Sequence, residues 1–426
     1  MSLLLLWSVL LGWGALVVLG QQAAPTPLET YLNNYPSCAT KCVIPTIDTL
    51  GHANTTLPEI SSILCPDIPS RRQISDCLQT GCSYEDQVVA WPLQEVLCTR
   101  YPKDSKSAYI RNLTITMSLL ASIFVLLRCY SRLYILRRFW GDDWIMLVAA
   151  VFMIVIAIAL IWISTVGLGL HVWDVEAENI ATIIKLYWIM RQFYIIVQVL
   201  LKVSILLFYL RVFPVRWMQI STWLIIAYML LHGIAFFIPV IVQCRPIARL
   251  WDKRIDGSCI PLLDLLIPGA VFSILEDVVI LILPIPCISK LNIGRGKKVS
   301  LVTLFSVGVI ACFTSMLRLK STIDTRDTLD ETWESITSIA WSLVELTVAT
   351  ICVCLPSLKA ILNHHMPRYF GSAKGSGYIG GVGVQRSVTV NVENGPGTEM
   401  RDPSRSQSHV REVEATVKGG VEAGRG

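Results

Sequence analysis

Residues 185–209 read KLYWIMRQFYIIVQVLLKVSILLFY, an apolar run long enough to cross a hydrocarbon layer as a helix. Its polar and amphipathic residues, Tyr187, Arg191, Tyr194, Gln198, Lys202 and Tyr209, recur at separations of three, four and seven, so they share one helical stripe. Such a stripe must face protein or water, which places the helix in a bundle. An isolated ammonium at the depth of Lys202 costs at least about 2.5 kcal/mol. A partner is therefore expected, and Glu276, Asp277 and Glu345 are the acids available within other apolar segments. With Trp341 one turn before Glu345, the expected intramembrane polar network is Arg191, Gln198, Lys202, Glu276, Asp277, Trp341 and Glu345, acting as a structural brace or as a switch.

Six more apolar segments flank this one, near 110–130, 144–165, 219–242, 264–288, 301–320 and 335–357, which makes seven spans. The composition agrees. The 426 residues are 53% hydrophobic and 16% charged, where a soluble domain carries about 25% charge. The net charge of +5 lacks any basic cluster interleaved with aromatics, which argues against a nucleic-acid partner and leaves membrane lipid as the surrounding medium.

Residues 1–20 read as a signal peptide, with an uncleaved anchor as the competing reading because Lys and Arg are missing before the apolar run. Residues 21–106 are polar and hold Cys38, Cys42, Cys65, Cys77, Cys82 and Cys98, an even set expected to form disulfides rather than a zinc site. Their connectivity is open. Asn54 heads an Asn-Thr-Thr glycosylation acceptor. The expected fold is thus all-α: a seven-transmembrane helix bundle over 107–365, preceded by a small disulfide-rich, mainly helical extracellular domain and followed by a disordered cytoplasmic tail over 366–426.

An external N-terminus puts Arg128, Arg132, Arg137, Arg138, Arg211, Arg216, Lys290, Arg295, Lys297 and Lys298 in cytoplasmic loops. The opposite loops hold Arg245, Arg249, Lys253, Arg254, Arg318, Lys320 and Arg326, so the positive-inside bias is modest. Cys244 and Cys259 bracket one of these external loops and are expected to close it as a disulfide. Enzymatic chemistry has little footing: the six histidines are dispersed, no H-E-x-x-H pattern or Walker loop occurs, and no catalytic or metal residues are assigned. The seventh span lacks the lysine an opsin would use. Transport through the intramembrane charges remains an alternative, without the internal repeat that would favour it.

Several motifs occur together: Gly141-Asp142-Asp143-Trp144, the run from Lys202 to Arg211, Gln243-Cys244-Arg245-Pro246 with Trp251-Asp252 and Cys259, Arg318-Leu319, Trp341-Ser342-x-x-Glu345, and Cys354-Leu355-Pro356. Over residues 109 to about 370 the chain resembles the fungal rhodopsin-type seven-helix domain of receptor-like membrane proteins. The cysteine-rich segment is similar to the CFEM domain that often precedes such a bundle, with six of its eight cysteines. In that register Ile60, beside Glu59, stands where haem-binding members carry an iron-ligating aspartate, so no haem cofactor is expected. A haem- or iron-binding surface protein is nonetheless an alternative the resemblance brings. It chiefly implies a plasma-membrane receptor that senses an unknown extracellular ligand or surface and signals inward through a heterotrimeric G protein. Arg211, Lys290, Arg295, Lys297 and Lys298 are the expected coupling residues.

Overall fold

The computed structural model describes residues 31–50, 56–290, 295–326 and 328–365. The expected signal peptide, Asn54 and the 366–426 tail lie outside them. The chain is mostly helical.

Among the described residues the cysteine-rich domain has these short helices: α1 Ser37–Thr49, α2 Leu57–Leu64, α3 Ile68–Gly81, α4 Tyr84–Ala90 and α5 Pro92–Leu97. Pro58, Pro69 and Pro92 stand in the first turns of α2, α3 and α5, where a missing N–H costs nothing. Ser83 caps α4 by accepting the Asp86 backbone N–H at 3.3 Å. The buried core is small, built around Leu32, Val43, Ile47, Ile60, Leu64, Ile74 and Leu93. Three disulfides supplement it, Cys38–Cys82, Cys42–Cys77 and Cys65–Cys98. The first two staple α1 to α3 and to its C-terminal edge.

A core this small leans on its crosslinks. Replacing Cys42 and Cys77 together by alanine opens a bridge of sequence separation 35 and is expected to cost about 2–4 kcal/mol. Hydrogen exchange on the full-length protein should then show α1 and α3 losing protection while the long helices keep theirs. Unchanged exchange in α1 would mean the two remaining bridges suffice.

Then come the long helices: α6 Ser107–Tyr130, extended by a π turn Ser131–Ile135, α7 Gly141–Val166, α8 Ala177–Val212, α9 Arg216–Ile241, α10 Leu262–Ile282, the short α11 Ile285–Lys290, α12 Arg295–Asp324 and α13 Glu331–His365. Among the described residues, six helices are long and apolar enough to cross a membrane: α6 with its π turn, α7, α8, α9, the stretch Leu262–Cys287, and α13. α12, of 30 residues, packs between α10 and α13. The protein is therefore multi-pass. Its bundle exposes Leu126, Ile158, Leu231 and Phe313 on the outside, the apolar surface that lipid requires.

One buried cluster runs through α6, α7, α8 and α13 around Met146, Ile163, Leu201 and Leu346. A second joins α8, α9 and α10 around Leu206, Met218, Met229 and Ile280. Between α9 and α10 a two-stranded ribbon, β1 Cys244–Arg245 and β2 Ser258–Cys259, pairs Cys244 with Cys259, and these two cysteines are disulfide-bonded. The helices overrun the expected spans at most ends, because the hydropathy that marks a crossing fades before the backbone hydrogen bonding does.

Candidate functional site

The polar stripe of α8 faces inward. Lys202, nearly fully buried, lies 2.9 Å from Asp277 and 3.1 Å from Glu276, and donates to the Ser273 carbonyl and hydroxyl at 2.8 Å each. Adjacent acids on α10 thus hold the ammonium from two sides. Glu276 also meets His232 Nδ1 of α9 at 2.7 Å. Glu345 of α13 is held separately: Arg318 Nε of α12 lies 2.6 Å away, Tyr194 donates its hydroxyl at 2.7 Å, and Gln198 donates to that same hydroxyl at 2.7 Å.

Ser315 of α12 stands between the two halves. Its hydroxyl oxygen lies 2.9 Å from Asp277, 2.6 Å from Glu345 and 3.1 Å from the Ala311 carbonyl. A hydroxyl has a single hydrogen, so it serves Asp277 or Glu345 but not both. The fixed charges are also unequal, with Lys202 and Arg318 facing Glu276, Asp277 and Glu345. One added proton, on His232 or on a carboxyl, makes the set neutral. Gln198, Lys202, Tyr209, Asp277, Ser315 and Glu345 line a cavity of about 70 Å³, which has room for a few waters.

Two residues expected in this network stand apart from it. Arg191 lies 4.7 Å above the Tyr187 ring, on the stripe but well over two turns from Lys202. Trp341 is half-buried on the turn before Glu345 and, among the described residues, takes no part in its hydrogen bonds. Conversely Arg318, counted with the loop cations although the expected 301–320 span includes it, is inside α12 and carries the pairing with Glu345. Its apolar neighbours Met316, Leu317 and Leu319 were the available signal, since a loop would not bracket a cation with them.

Arg128 and Arg132 also leave the loop expected for them and are buried. Arg128 in the last turn of α6 and Arg132 in the π turn both reach the first turn of α7, where Arg128 meets Asp142 at 2.6 Å and Asp143 at 2.7 Å, and Arg132 meets Asp143 at 3.1 Å. Arg128 also donates to the Val353 carbonyl of α13, and Ser204 of α8 donates to the Asp142 carbonyl at 3.0 Å. Two cations thus balance two acids and tie four helices at one end of the bundle. Arg211 is exposed and lies 4.5 Å over the Trp140 ring beside this cluster. The backbones of α11 and α12 include Lys290, Arg295, Lys297 and Lys298, whose side chains lie outside the described part of the structure.

At the other end of the bundle the cysteine-rich domain is seated on the α7–α8 loop, a contact absent from the sequence reading. Arg71 of α3 pairs with Asp174 at 2.6 Å, both buried, and Trp91 donates to the Val175 carbonyl at 3.0 Å. His171 is stacked between Trp173 and Trp333, at 4.6 Å and 4.0 Å between ring centres, with its Nδ1 2.5 Å from Asp330. Lys106 lies 4.1 Å over Trp333, and burial pulls its ammonium below the usual lysine range against the pull of Glu334 and Asp330. Gly169 has φ +95°, and a side chain there would strike the Ser107 backbone nitrogen at 2.7 Å. Only glycine lets this loop lie on the start of α6.

Comparison with known proteins places the bundle. A protein of Emericella nidulans named SAT4 family membrane protein is 31% identical over 211 residues, which are 49% of this chain and 52% of that one. "Receptor GIN3" of Arthrobotrys oligospora is 27% identical over 261 residues, 59% of this chain and 61% of that one. "Fugralins biosynthesis cluster protein 2" of Gibberella zeae is 27% identical over 267 residues, 58% and 64% respectively. The chain spans between about half and two thirds of the length of these relatives. No solved structure matches it. The fungal rhodopsin domain matches residues 127–364, more than half of the chain and a range that contains both buried ion-pair clusters of the bundle. This chain belongs to the fungal rhodopsin domain family.

Proposed function

We propose that the protein is a plasma-membrane receptor with seven crossings, α12 being the sixth of them, an extracellular CFEM-like domain and a cytoplasmic C-terminus, and that it signals inward through a heterotrimeric G protein. The observation that carries this reading is the seating of the cysteine-rich domain, through Arg71 and Asp174, on the turn that opens α8. The same helix carries Tyr194, Gln198 and Lys202 into the charge network. A displacement of the domain is thereby transmitted to α8 directly. Ser315, which can satisfy only one of two carboxylates, makes the core a two-state element, and a ligand biases such an element by binding one arrangement better.

The relative named as a receptor supports this reading. Haem has no part in it. The position that the CFEM resemblance would give to an iron-ligating aspartate is Ile60, buried in the domain core and without a donor atom.

Proximity labelling at the plasma membrane tests the proposal. A Gα subunit should be recovered with the intact protein and lost when Lys290, Arg295, Lys297 and Lys298 are replaced by glutamine. No Gα from correctly localised intact protein would turn the reading toward transport through the intramembrane charges.

A further inference from the structure

Between α3, α4, α5 and the α7–α8 loop lies a small cleft lined by two buried residues with unpartnered polar atoms. Trp173 Nε1 is a donor and Gln94 Oε1 an acceptor; both residues are nearly fully buried, both line the cleft, and neither atom has a hydrogen-bond partner among the described residues. Leaving such groups unpaired is costly, so an arrangement that preserves them points to a ligand that pairs them. Their orientation is held by the protein. Gln94 spends its amide nitrogen on the Arg71 carbonyl at 3.3 Å, so its oxygen is the free end. Trp173 has His171 stacked on its ring and Arg71 at 5.7 Å from the ring centre, contacts that fix the indole plane and leave its N–H unpaired.

The other walls repeat the same chemistry. Gln87 commits its amide nitrogen to the Gln79 and Cys82 carbonyls, and Gln79 commits its own to Ser75. The cleft thus presents glutamine oxygens as acceptors and one indole donor beside the Trp91 ring, and no charged side chain lines it. A charged ligand would be desolvated there without a counter-charge. A hydroxyl group both accepts and donates, so a molecule that carries hydroxyls answers the Trp173 donor and the Gln94 acceptor alike. The cavity, about 20 Å³, holds one hydroxyl-sized group. The half-exposed Gln79, Gln87 and Trp91 are left to meet the rest of the molecule.

We propose that this seam between the cysteine-rich domain and the α7–α8 loop binds a small neutral polyhydroxy compound, a sugar or sugar alcohol. It rests on the receptor reading only for its consequence, because Trp91 and Trp173 join the domain to the turn that opens α8 and occupancy would bias that joint.

The test is saturation-transfer NMR and calorimetry on the full-length protein in lipid nanodiscs, with glycerol, myo-inositol, glucose and trehalose as probes and glycine betaine as a zwitterionic control without hydroxyls. The expected result is saturable binding of at least one polyol and none of betaine. Trp173→Phe and Gln94→Met should each weaken it about tenfold or more, because each removes one of the two buried polar atoms that ligand hydroxyls pair with. Gln79→Met, at the half-exposed mouth, leaves the core untouched and should weaken binding less, which guards against a folding artefact. No saturable binding of any of the four polyols, or binding indifferent to all three substitutions, overturns the site. Binding without any Gα response would leave the site standing and remove the receptor reading instead.

Discussion

Replacing Lys202 by methionine is expected to destabilise the bundle by about 3–5 kcal/mol, whereas Asp277→Asn should cost less than about 1 kcal/mol. The contrast follows from the charge count. Methionine keeps the volume of the lysine stem but leaves Glu276 and Asp277 side by side in a low-dielectric interior with no ammonium between them. Asparagine in place of Asp277 removes one charge from a set with three carboxylates and two fixed cations. Its one oxygen keeps the Lys202 contact, and its amide nitrogen takes the place of the oxygen that faced Ser315, donating to that hydroxyl while the Ser315 hydrogen goes to Glu345. Adding Asp277→Asn to Lys202→Met should recover part of the loss, a coupling of the kind expected for residues in contact. Thermal unfolding of the purified variants in nanodiscs checks both values. A Lys202→Met midpoint equal to that of the parent protein would mean that the 70 Å³ cavity is hydrated well enough to screen the acids.

Arg71→Met should release the cysteine-rich domain without unfolding it. Asp174 is 1% exposed and its carboxylate has Arg71 as its side-chain counter-ion at 2.6 Å. Removing the guanidinium strands a buried negative charge, a cost of about 3–5 kcal/mol that undocking relieves by letting water reach it. The three disulfides lie wholly within the domain, so its own helices survive. Hydrogen exchange should rise across residues 167–176 and on α3, and stay unchanged in α10 and α13. Asp174→Asn is the milder partner variant, since an amide oxygen still accepts from Arg71. If exchange in 167–176 is unmoved by Arg71→Met, the Trp91 and Lys103 bonds to Val175 and Asp174 hold the seam without it.

Both predictions concern residues whose partners are far away in the chain, and here sequence and structure divide. The stripe on α8 was legible because helical periodicity acts within a few turns, and Glu276 and Asp277 were legible because an ammonium in lipid needs an acid. Which acid met which cation was not. Glu345, a candidate partner of Lys202, is held by Arg318, which the loop count had placed elsewhere. Arg128 and Arg132 were misplaced for a related reason: hydropathy marks where a span ends but not that the last turn of α6 and the π turn after it aim these two side chains at Asp142 and Asp143.

The sequence by itself determined what local physics can decide: long apolar helices, a polar stripe on one of them, and a cysteine-rich segment too poor in apolar side chains to do without crosslinks. Only the tertiary structure decided the pairings, because they close over long stretches of chain: Tyr194 to Glu345 across 151 residues, His171 to Asp330 across 159, Arg71 to Asp174 across 103. No local pattern encodes those encounters. They are selected when the bundle packs, since in a low-dielectric interior each buried charge must find whichever opposite charge the helix faces bring within reach.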